Sequence, residues 1–202
     1  KVLFFITGYP TMLKLFKNIL DSNEKAINSV RPMVPEIRSM EKELESLKNE
    51  NILLRVNRMK EEVQELVKDL SNTQRSSLHT QHQKDIKSGL ENKVQNKLQE
   101  FIPEFFALVN EIYRRRVGIK YFDVQLIAGA ILSQGYKLTE LKTGEGKTMV
   151  FQLPAFLYAL TGRGSHVITV NDYLAKVGGE YAGNIAQDLG LSVGIIASGG
   201  SF

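Results

Sequence analysis

Apolar residues recur every three or four positions through most of the first hundred residues, a spacing that predicts helices with one buried face. Between residues 36 and 70 the stripe changes phase at 49–51, which predicts two helices with Asn49 as a candidate cap of the second. A third stripe runs over 84–101. A coiled coil is possible, but these stripes favour helices that pack one face on a neighbouring domain. The stripe residues are Ile37, Met40, Leu44, Leu47, Ile52, Val56, Met59, Val63, Leu66, Leu70, Ile86, Leu90, Val94, Leu98 and Phe101.

From about residue 101 onward, helical and strand-like patterns alternate. Pro103 fits the first turn of a helix that Gly118 ends, and Asp123 fits the cap of a helix that runs to Ser133. Later helices are expected over 147–160 and 172–189, and strands over 136–141, 166–170 and 191–196. This order predicts an α/β fold with a partial parallel sheet, preceded by a helical N-terminal segment.

These patterns divide the chain into three parts. Residues 1–11 open with an apolar, basic run that stops early and lacks a cleavage site, so we expect a non-native upstream extension. Residues 12–100 are expected to form the helical N-terminal segment, with a polar insert near 71–83 that lacks periodicity. Residues 101–202 are expected to be the first part of a P-loop nucleotide-binding domain, which is truncated here.

Composition and charge narrow the chemistry further. The chain has no cysteine, which excludes disulfides and cysteine-based zinc sites, and its three histidines do not form a ligand set. The net charge of +4 is mild. Three adjacent arginines at 114–116 spread around a helix, so we expect a solvated or ion-paired surface rather than a nucleic-acid patch. No apolar run is long enough to span a membrane.

The segment Lys142–Thr148 (KTGEGKT) lies between a predicted strand and a predicted helix, which is the context of a phosphate-binding loop. Gly144 and Gly146 permit backbone conformations in which successive N–H groups point into one concavity. The helix that follows directs its positive end at the same anion. Lys147 is the candidate partner of the β- and γ-phosphates and Thr148 the candidate Mg²⁺ ligand, so these two are the candidate catalytic residues.

One residue departs from the strict phosphate-loop pattern, because Leu141 stands where that pattern has glycine. A loop of this form resembles those of helicase-like motor ATPases, which place a glutamine upstream to recognise adenine. Gln125 lies upstream here, and its amide can donate to and accept from the adenine edge at once. By itself, Gln125 would be an ordinary polar helix residue. The candidate ATP- and Mg²⁺-binding residues are Gln125, Lys142, Thr143, Gly144, Glu145, Gly146, Lys147 and Thr148.

Several longer runs resemble the SecA family of protein-translocase ATPases. The resemblance is strong over about 100–196 and weak over 12–50, and the TVNDYLA run at 169–175 separates this family from general helicases. Residues 60–98 look longer than the family's usual connection, and KVGG at 176–179 replaces a charged run that contains Asp. The matching runs are Tyr121–Gly129, Glu140–Thr148, Leu153–Ala155, Ala159–Gly162, His166–Ala175 and Ile102–Ala107.

The resemblance implies that the α/β part is a partial parallel-sheet P-loop domain of the RecA-like motor type. It also implies a two-lobed motor that hydrolyses ATP and moves unfolded preproteins through a membrane channel. It implies a cytoplasmic location with peripheral attachment to the plasma membrane, and no nucleic-acid partner. Met12 is then the expected natural start. Residues 12–20 are expected to form an amphipathic helix that lies on anionic lipid or, with similar weight, docks on the protein itself.

The family's acidic magnesium pair and its arginines lie in later segments, so the resemblance also implies that this chain binds nucleotide with almost no turnover. Two alternatives remain from sequence alone. One is a fragment of a nucleic-acid helicase with similar lobes, and the other is a helical membrane- or partner-binding module with an incidental glycine-rich loop.

Overall fold

The computed structural model describes residues 23–75, 81–198 and 200–201, and helices dominate this part of the chain. The predicted extension over 1–11 and the amphipathic helix over 12–20 lie outside the described residues. Residues 23–30 are helical and lead through a turn into the first complete element. The complete elements are α1 (Met33–Ser46), α2 (Asn49–Arg75), α3 (Gln81–Val117), α4 (Asp123–Ser133), α5 (Lys147–Val150), α6 (Gln152–Ala159), α7 (Asp172–Asp188), β1 (Ile196–Ala197) and β2 (Gly200–Ser201).

Helices α1 and α2 both pack on α3 through their apolar stripes. α2 runs antiparallel to α3, because Arg58 bonds Glu104 whereas Glu62, one turn later in α2, pairs with the earlier residue Lys97. The predicted stripe of α2 is confirmed up to Val63, after which Val67 rather than Leu66 is buried. Buried residues at this spacing remove one face of each helix from water, which is the main source of helix stability in proteins.

The predicted break between α1 and α2 is confirmed, with Leu47 and Lys48 between the two helices. Arg115 of α3 closes this junction by donating to the carbonyl oxygens of Leu44 (2.8 Å) and Leu47 (2.7 Å) at the end of α1. A cation is favourable there because the last carbonyls of a helix lack backbone donors. The prediction that Asn49 caps α2 is wrong. It is the first helical residue, and its side-chain oxygen accepts from Arg115 at 2.5 Å.

One helix covers the region where two were predicted. Pro103 lies inside α3 instead of opening a new helix, although it cannot donate to the carbonyl oxygen four residues earlier. Buried residues on both sides of the proline hold the helix together, so packing outweighs the lost hydrogen bond. Gly118 ends the helix as predicted, in a left-handed conformation with φ of 77°. The flanking buried residues are Leu98, Phe101, Ile102, Phe105 and Phe106.

The polar insert predicted near 71–83 is helical at both of its ends. α2 continues to Arg75 and α3 begins at Gln81, so the predicted loop is too long on each side. The hydroxyl of Ser71 donates to the carbonyl oxygen of Val67 at 2.9 Å, a bond that a polar helical residue makes without leaving the helix. Residues 76–80 lie outside the described part of the chain.

Helices α4 to α7 follow α3 and carry the glycine-rich segment between them. α4 ends at Ser133 as predicted, but the prediction that Asp123 caps it is wrong, because Phe122 holds the cap position and Asp123 is the first helical residue. α7 begins as predicted, with the Asn171 side chain accepting from the N–H of Leu174 at 2.9 Å. The predicted helix over 147–160 is interrupted at Phe151 and forms α5 and α6. Pro154 in the first turn of α6 cannot donate to the carbonyl of Val150, which weakens the continuous helix at this point.

The parallel sheet expected from sequence is not formed in the described residues. Segments 136–141 and 166–170 contain no strand, and the segment over 191–196 contributes only Ile196 to the short antiparallel pair of β1 and β2. A strand requires hydrogen bonds to a neighbouring strand, and among the described residues of these three segments only Ile196 pairs with a strand. A cleft of about 750 Å³ opens between the last two segments and helices α6 and α7.

Candidate functional site

The glycine-rich segment turns the chain from residue 141 into α5. Gly144 and Gly146 have φ of 88° and 73°, values that residues with a side chain rarely adopt. Nothing lies within 4 Å of the position where a Cβ of Gly144 would stand, so the turn is open to solvent at this residue. Gly146 precedes α5, and its carbonyl oxygen accepts from the N–H groups of Met149 (2.9 Å) and Val150 (3.3 Å).

The two candidate catalytic residues open α5, and both are exposed. The Lys147 ammonium folds back over the turn and donates to the carbonyl oxygen of Lys142 at 2.8 Å. The Thr148 side chain lies at the edge of a cavity of about 550 Å³ between α5 and α7. An ammonium group over a glycine-rich turn and a hydroxyl on the next residue are groups that can bind polyphosphate and magnesium, respectively. The cavity is lined by Thr148, Met149, Val177, Glu180, Tyr181 and Asn184.

Glu145 stabilises the turn from within. Its carboxylate accepts from the N–H of Lys142 at 2.7 Å, while its own N–H donates to the carbonyl oxygen of Lys142 at 3.2 Å. Lys142 and Thr143 lie on the exposed side of the turn with Gly144. The structure thus brings six of the predicted residues, from Lys142 to Lys147, into one turn whose exposed side carries the ammonium group.

Gln125 is brought to the same turn from α4. Its side chain is buried, and its amide oxygen accepts from the N–H of Phe122 at 2.8 Å. Its amide nitrogen donates to the carbonyl oxygen of Glu145 at 2.9 Å. A Cβ on Gly146 would lie 2.5 Å from that nitrogen, so the glycine makes this approach possible. The amide keeps one N–H and one lone pair for a further partner.

Comparison with known proteins identifies the family. Residues 15–201 match the model of the SecA DEAD-like domain. The chain belongs to the SecA DEAD-like domain family. This family implies a RecA-like fold, whereas the described residues lack its parallel sheet.

Curated SecA translocase subunits are similar to the chain over most of its length. The protein translocase subunit SecA of Carboxydothermus hydrogenoformans is 40% identical over 93% of this chain and 18% of its own length. The subunit of Heliobacterium modesticaldum is 40% identical over 95% of this chain and 19% of its own, and that of Acidobacterium capsulatum is 41% identical over 87% and 16%. The chain therefore spans less than a fifth of the length of these relatives.

Within this SecA-family domain, Tyr121 contacts α5, the helix that follows the glycine-rich turn, and sequence reasoning missed this contact. Its hydroxyl donates to the carbonyl oxygen of Met149 at 2.9 Å, and its N–H donates to the side-chain oxygen of Asn110 at 2.8 Å. Burial raises the pKa of Tyr121 well above its ordinary value, so the phenol remains a neutral donor. Its position beside the run that contains Gln125 was the signal available in the sequence.

The Asp172 and Asp188 carboxylates of this SecA-family chain already bond other residues. Asp188 pairs with Arg116 at 2.5 Å, and Asp172 accepts from the N–H of Ser198 at 3.0 Å. Hydrogen bonding from the side chain and the N–H of Ser198 lowers the pKa of Asp172. Glu180, which sequence reasoning did not consider, lines the cavity beside Thr148. In the described residues no three acidic, histidine or cysteine side chains lie together as a metal-binding group.

The three adjacent arginines form ion pairs, as predicted. Arg114 and Arg115 both bond the carboxylate of Glu111, at 2.7 and 2.6 Å, while Arg116 bonds Asp188. This stretch of α3 therefore carries structural ion pairs. Among the described residues, no helix is both long enough and apolar enough to cross a membrane.

Proposed function

We propose that this chain is the ATP-binding part of a SecA-type preprotein translocase motor. The observation that carries the proposal is the exposed turn at 142–148, which contains two left-handed glycines and over which the Lys147 ammonium folds back. Membership of the SecA DEAD-like domain family supports the same conclusion. In the whole protein, ATP hydrolysis would drive the export of unfolded preproteins through a membrane channel.

Each residue of the turn has a distinct proposed role. Lys147 would exchange the carbonyl oxygen of Lys142 for the β- and γ-phosphates, since a charged acceptor forms the stronger hydrogen bond. Thr148 would hold Mg²⁺ through its hydroxyl, and the backbone N–H groups of residues 143–147 would bind phosphate oxygens. Bound Mg²⁺ would neutralise phosphate charge. Gln125 would read adenine with the N–H and lone pair that Glu145 and Phe122 leave unused.

ATP titration of wild type and the Lys147→Ala variant tests the site. Loss of a charge-assisted phosphate contact removes about 1.5–3 kcal/mol, which corresponds to a weakening of roughly ten- to a hundredfold. Lys137→Ala is the matched control, because Lys137 is an exposed lysine outside the turn. Equal ATP affinity in wild type and Lys147→Ala would refute the assignment of the site.

The nucleobase preference tests the role of Gln125 separately from its contact with the turn. Gln125→Ala should weaken both ATP and GTP, because the bond to Glu145 is lost with the side chain. Adenine recognition predicts in addition that ATP loses more affinity than GTP, since unpaired polar groups cost about 1–3 kcal/mol. An unchanged ratio of the two affinities would place adenine recognition elsewhere.

We further propose that this chain binds ATP without appreciable turnover. Hydrolysis needs a carboxylate that orients the attacking water and cations that stabilise the transition state. Asp172, Asp188 and Glu145 are engaged with Ser198, Arg116 and Lys142, respectively. A turnover number in the normal enzyme range of about 1–10³ s⁻¹ would contradict this proposal.

The proposed membrane attachment rests on residues 12–20, which lie outside the described part of the chain. We propose a peripheral position on the cytoplasmic face of the plasma membrane, with Lys14 and Lys17 near anionic headgroups. Flotation with vesicles that contain or lack anionic lipid tests it. Binding that is independent of anionic lipid would instead support docking of this helix on the protein.

A further inference from the structure

Helix α1 is connected to the start of α4 through a single arginine. Two nitrogens of the Arg38 guanidinium, Nε and Nη2, bond the Asp123 carboxylate at 3.1 and 2.7 Å, and Nη2 also bonds the carbonyl oxygen of Tyr121 at 2.7 Å. The remaining nitrogen, Nη1, bonds Glu41 at 2.6 Å. A guanidinium holds its donors in one plane, so these contacts define the position of the segment 121–123 relative to α1.

Glu41 fixes the arginine in this orientation. Its carboxylate also accepts from Lys120 at 2.8 Å and from the side-chain amide of Asn110 at 3.0 Å. Burial of Glu41 favours its neutral form, but the bonds from Lys120 and Arg38 outweigh burial and lower its pKa. Glu41 is therefore charged at neutral pH and joins α1, α3 and the segment before α4.

The two residues that Arg38 bonds, Tyr121 and Asp123, are both connected to residues 142–149, the proposed nucleotide loop. Tyr121 bonds the carbonyl oxygen of Met149, the third residue of α5. Asp123 opens α4, and two residues later Gln125 bonds the carbonyl oxygen of Glu145 within the loop. The contact of Gln125 with Glu145 precedes Lys147 in the loop, and the contact of Tyr121 with Met149 follows it.

We propose that Arg38 is a positioning residue for the nucleotide loop, one that sets the place of Tyr121 and Gln125 and through them the place of Lys147. The inference rests on the proposed function, because its consequence is a change in ATP affinity. Arg38 itself is not a catalytic residue, since its contacts are with Glu41, Tyr121 and Asp123. A purely structural arginine would change the stability of the helices and leave the loop unchanged.

ATP affinity of the whole chain is measured in wild type, Arg38→Gln, Gln125→Ala and the double variant. Arg58→Gln is the matched control. Arg58 of α2 also forms an ion pair, with Glu104 of α3, but it does not reach the loop. Arg38→Gln is expected to weaken ATP by about three- to thirtyfold, the range for residues that couple to a site without touching its ligand. Arg58→Gln should bind like wild type.

The double variant decides whether Arg38 acts through Gln125. If it does, Arg38→Gln weakens ATP much less in the Gln125→Ala background than in wild type, because the contact that it positions is already absent. Arg38→Lys keeps the charge but cannot hold both Tyr121 and Asp123 with the same geometry, so an intermediate affinity is expected. Full additivity, or wild-type affinity in Arg38→Gln, would overturn the inference.

Hydrogen exchange supplies a readout that needs no nucleotide. In Arg38→Gln the backbone amides of 145–149 should exchange faster, and those of α2 should not. Asp123→Asn, which removes only the charge at the other end of the contact, should act in the same direction and serves if Arg38→Gln does not fold. If wild type does not bind ATP, both the proposed function and this inference are contradicted. If ATP affinity depends on Lys147 but not on Arg38, only this inference is overturned.

Discussion

Helices α1 to α3 and the three segments predicted as strands, 136–141, 166–170 and 191–196, are both rich in apolar residues but place them differently. The apolar stripes of the three helices meet in one core, in which Phe105, Phe106 and Ile112 are fully buried, while Ile86 near the start of α3 is 42% exposed. In the other region, Leu138 and Ile168 are 97% and 93% exposed. The difference follows from the backbone, because a helix makes its hydrogen bonds within four residues and a strand needs a neighbour.

Native-state hydrogen exchange should give the largest contrast between the two regions. Amides near Phe105 are expected to open only with global unfolding, which costs about 5–15 kcal/mol in a typical domain. Amides of 166–170 lack strand partners and should exchange with little protection. Strong protection of 166–170 would break the comparison, because it would mean that these residues pair in solution.

Truncation of one apolar side chain in each region gives the next largest effect. Phe105→Ala should lower the free energy of unfolding by about 3–5 kcal/mol, because it leaves a cavity in a packed core. Leu138→Ala removes an exposed side chain and should stay within about 0.5 kcal/mol. Urea unfolding followed by circular dichroism measures both, and a large loss in Leu138→Ala would show that Leu138 is buried in solution.

Two helical glycines compare a tightly packed position, Gly129 in α4, with an open one, Gly89 in α3. A Cβ on Gly129 would lie 2.6 Å from Leu153 Cδ1, so Gly129→Ala should destabilise the protein by about 1–3 kcal/mol. Gly89 has open space around it, and Gly89→Ala should stabilise α3 by about 0.5–1 kcal/mol. Thermal unfolding measures both. Equal effects would indicate that α4 and α6 are not in close contact.

The dependence of the free energy of unfolding on acidic pH should arise from Glu111 in α3, and we expect it to be the smallest of these effects. Burial disfavours the charged form of Glu111, but the bonds from Arg114 and Arg115 outweigh it and lower its pKa from the ordinary 4.5. A carboxylate with a lowered pKa stabilises the fold fully above its ordinary value, and this contribution is lost as the pH falls through the lowered pKa.

Unfolding free energies of Glu111→Gln and wild type, measured between neutral pH and pH 3, test this expectation. We expect a difference of about 1 kcal/mol at neutral pH that shrinks as the pH falls. Glu140→Gln is the control in the other region, since Glu140 is exposed. A difference between wild type and Glu111→Gln that stays constant down to pH 3 would contradict the role of Glu111.

The sequence predicted best those boundaries that depend on neighbouring residues. The left-handed Gly118 ended α3 and α4 ended at Ser133 as expected, whereas Asp123 proved to be the first residue of α4 and not its cap. The prediction that Pro103 opens a helix was wrong. The local preference of proline for a helix start stabilises less than the burial of the neighbouring Phe105 and Phe106. The strands were mispredicted because a strand depends on a partner that its own residues do not specify.

The candidate site shows the same limit. The spacing of glycines in 142–148 anticipated a turn with left-handed residues, and the structure also brings Gln125 into contact with it. Arg38 carried no such signal, since its bonds from α1 to Tyr121 and Asp123 join residues that are remote in sequence. Local patterns thus indicate which residues make up a loop, whereas the residues that hold it in place emerge only from the fold.

The hydrogen bond from Lys147 to the carbonyl oxygen of Lys142 has a consequence for how fast and how tightly an anion is captured. A free lysine side chain loses about 2 kcal/mol of rotamer entropy when it is fixed. Here the side chain already lies over the turn before any anion arrives, so much of that loss has occurred during folding. An incoming phosphate then replaces one oxygen partner by another, without a search through the conformations of a four-carbon chain.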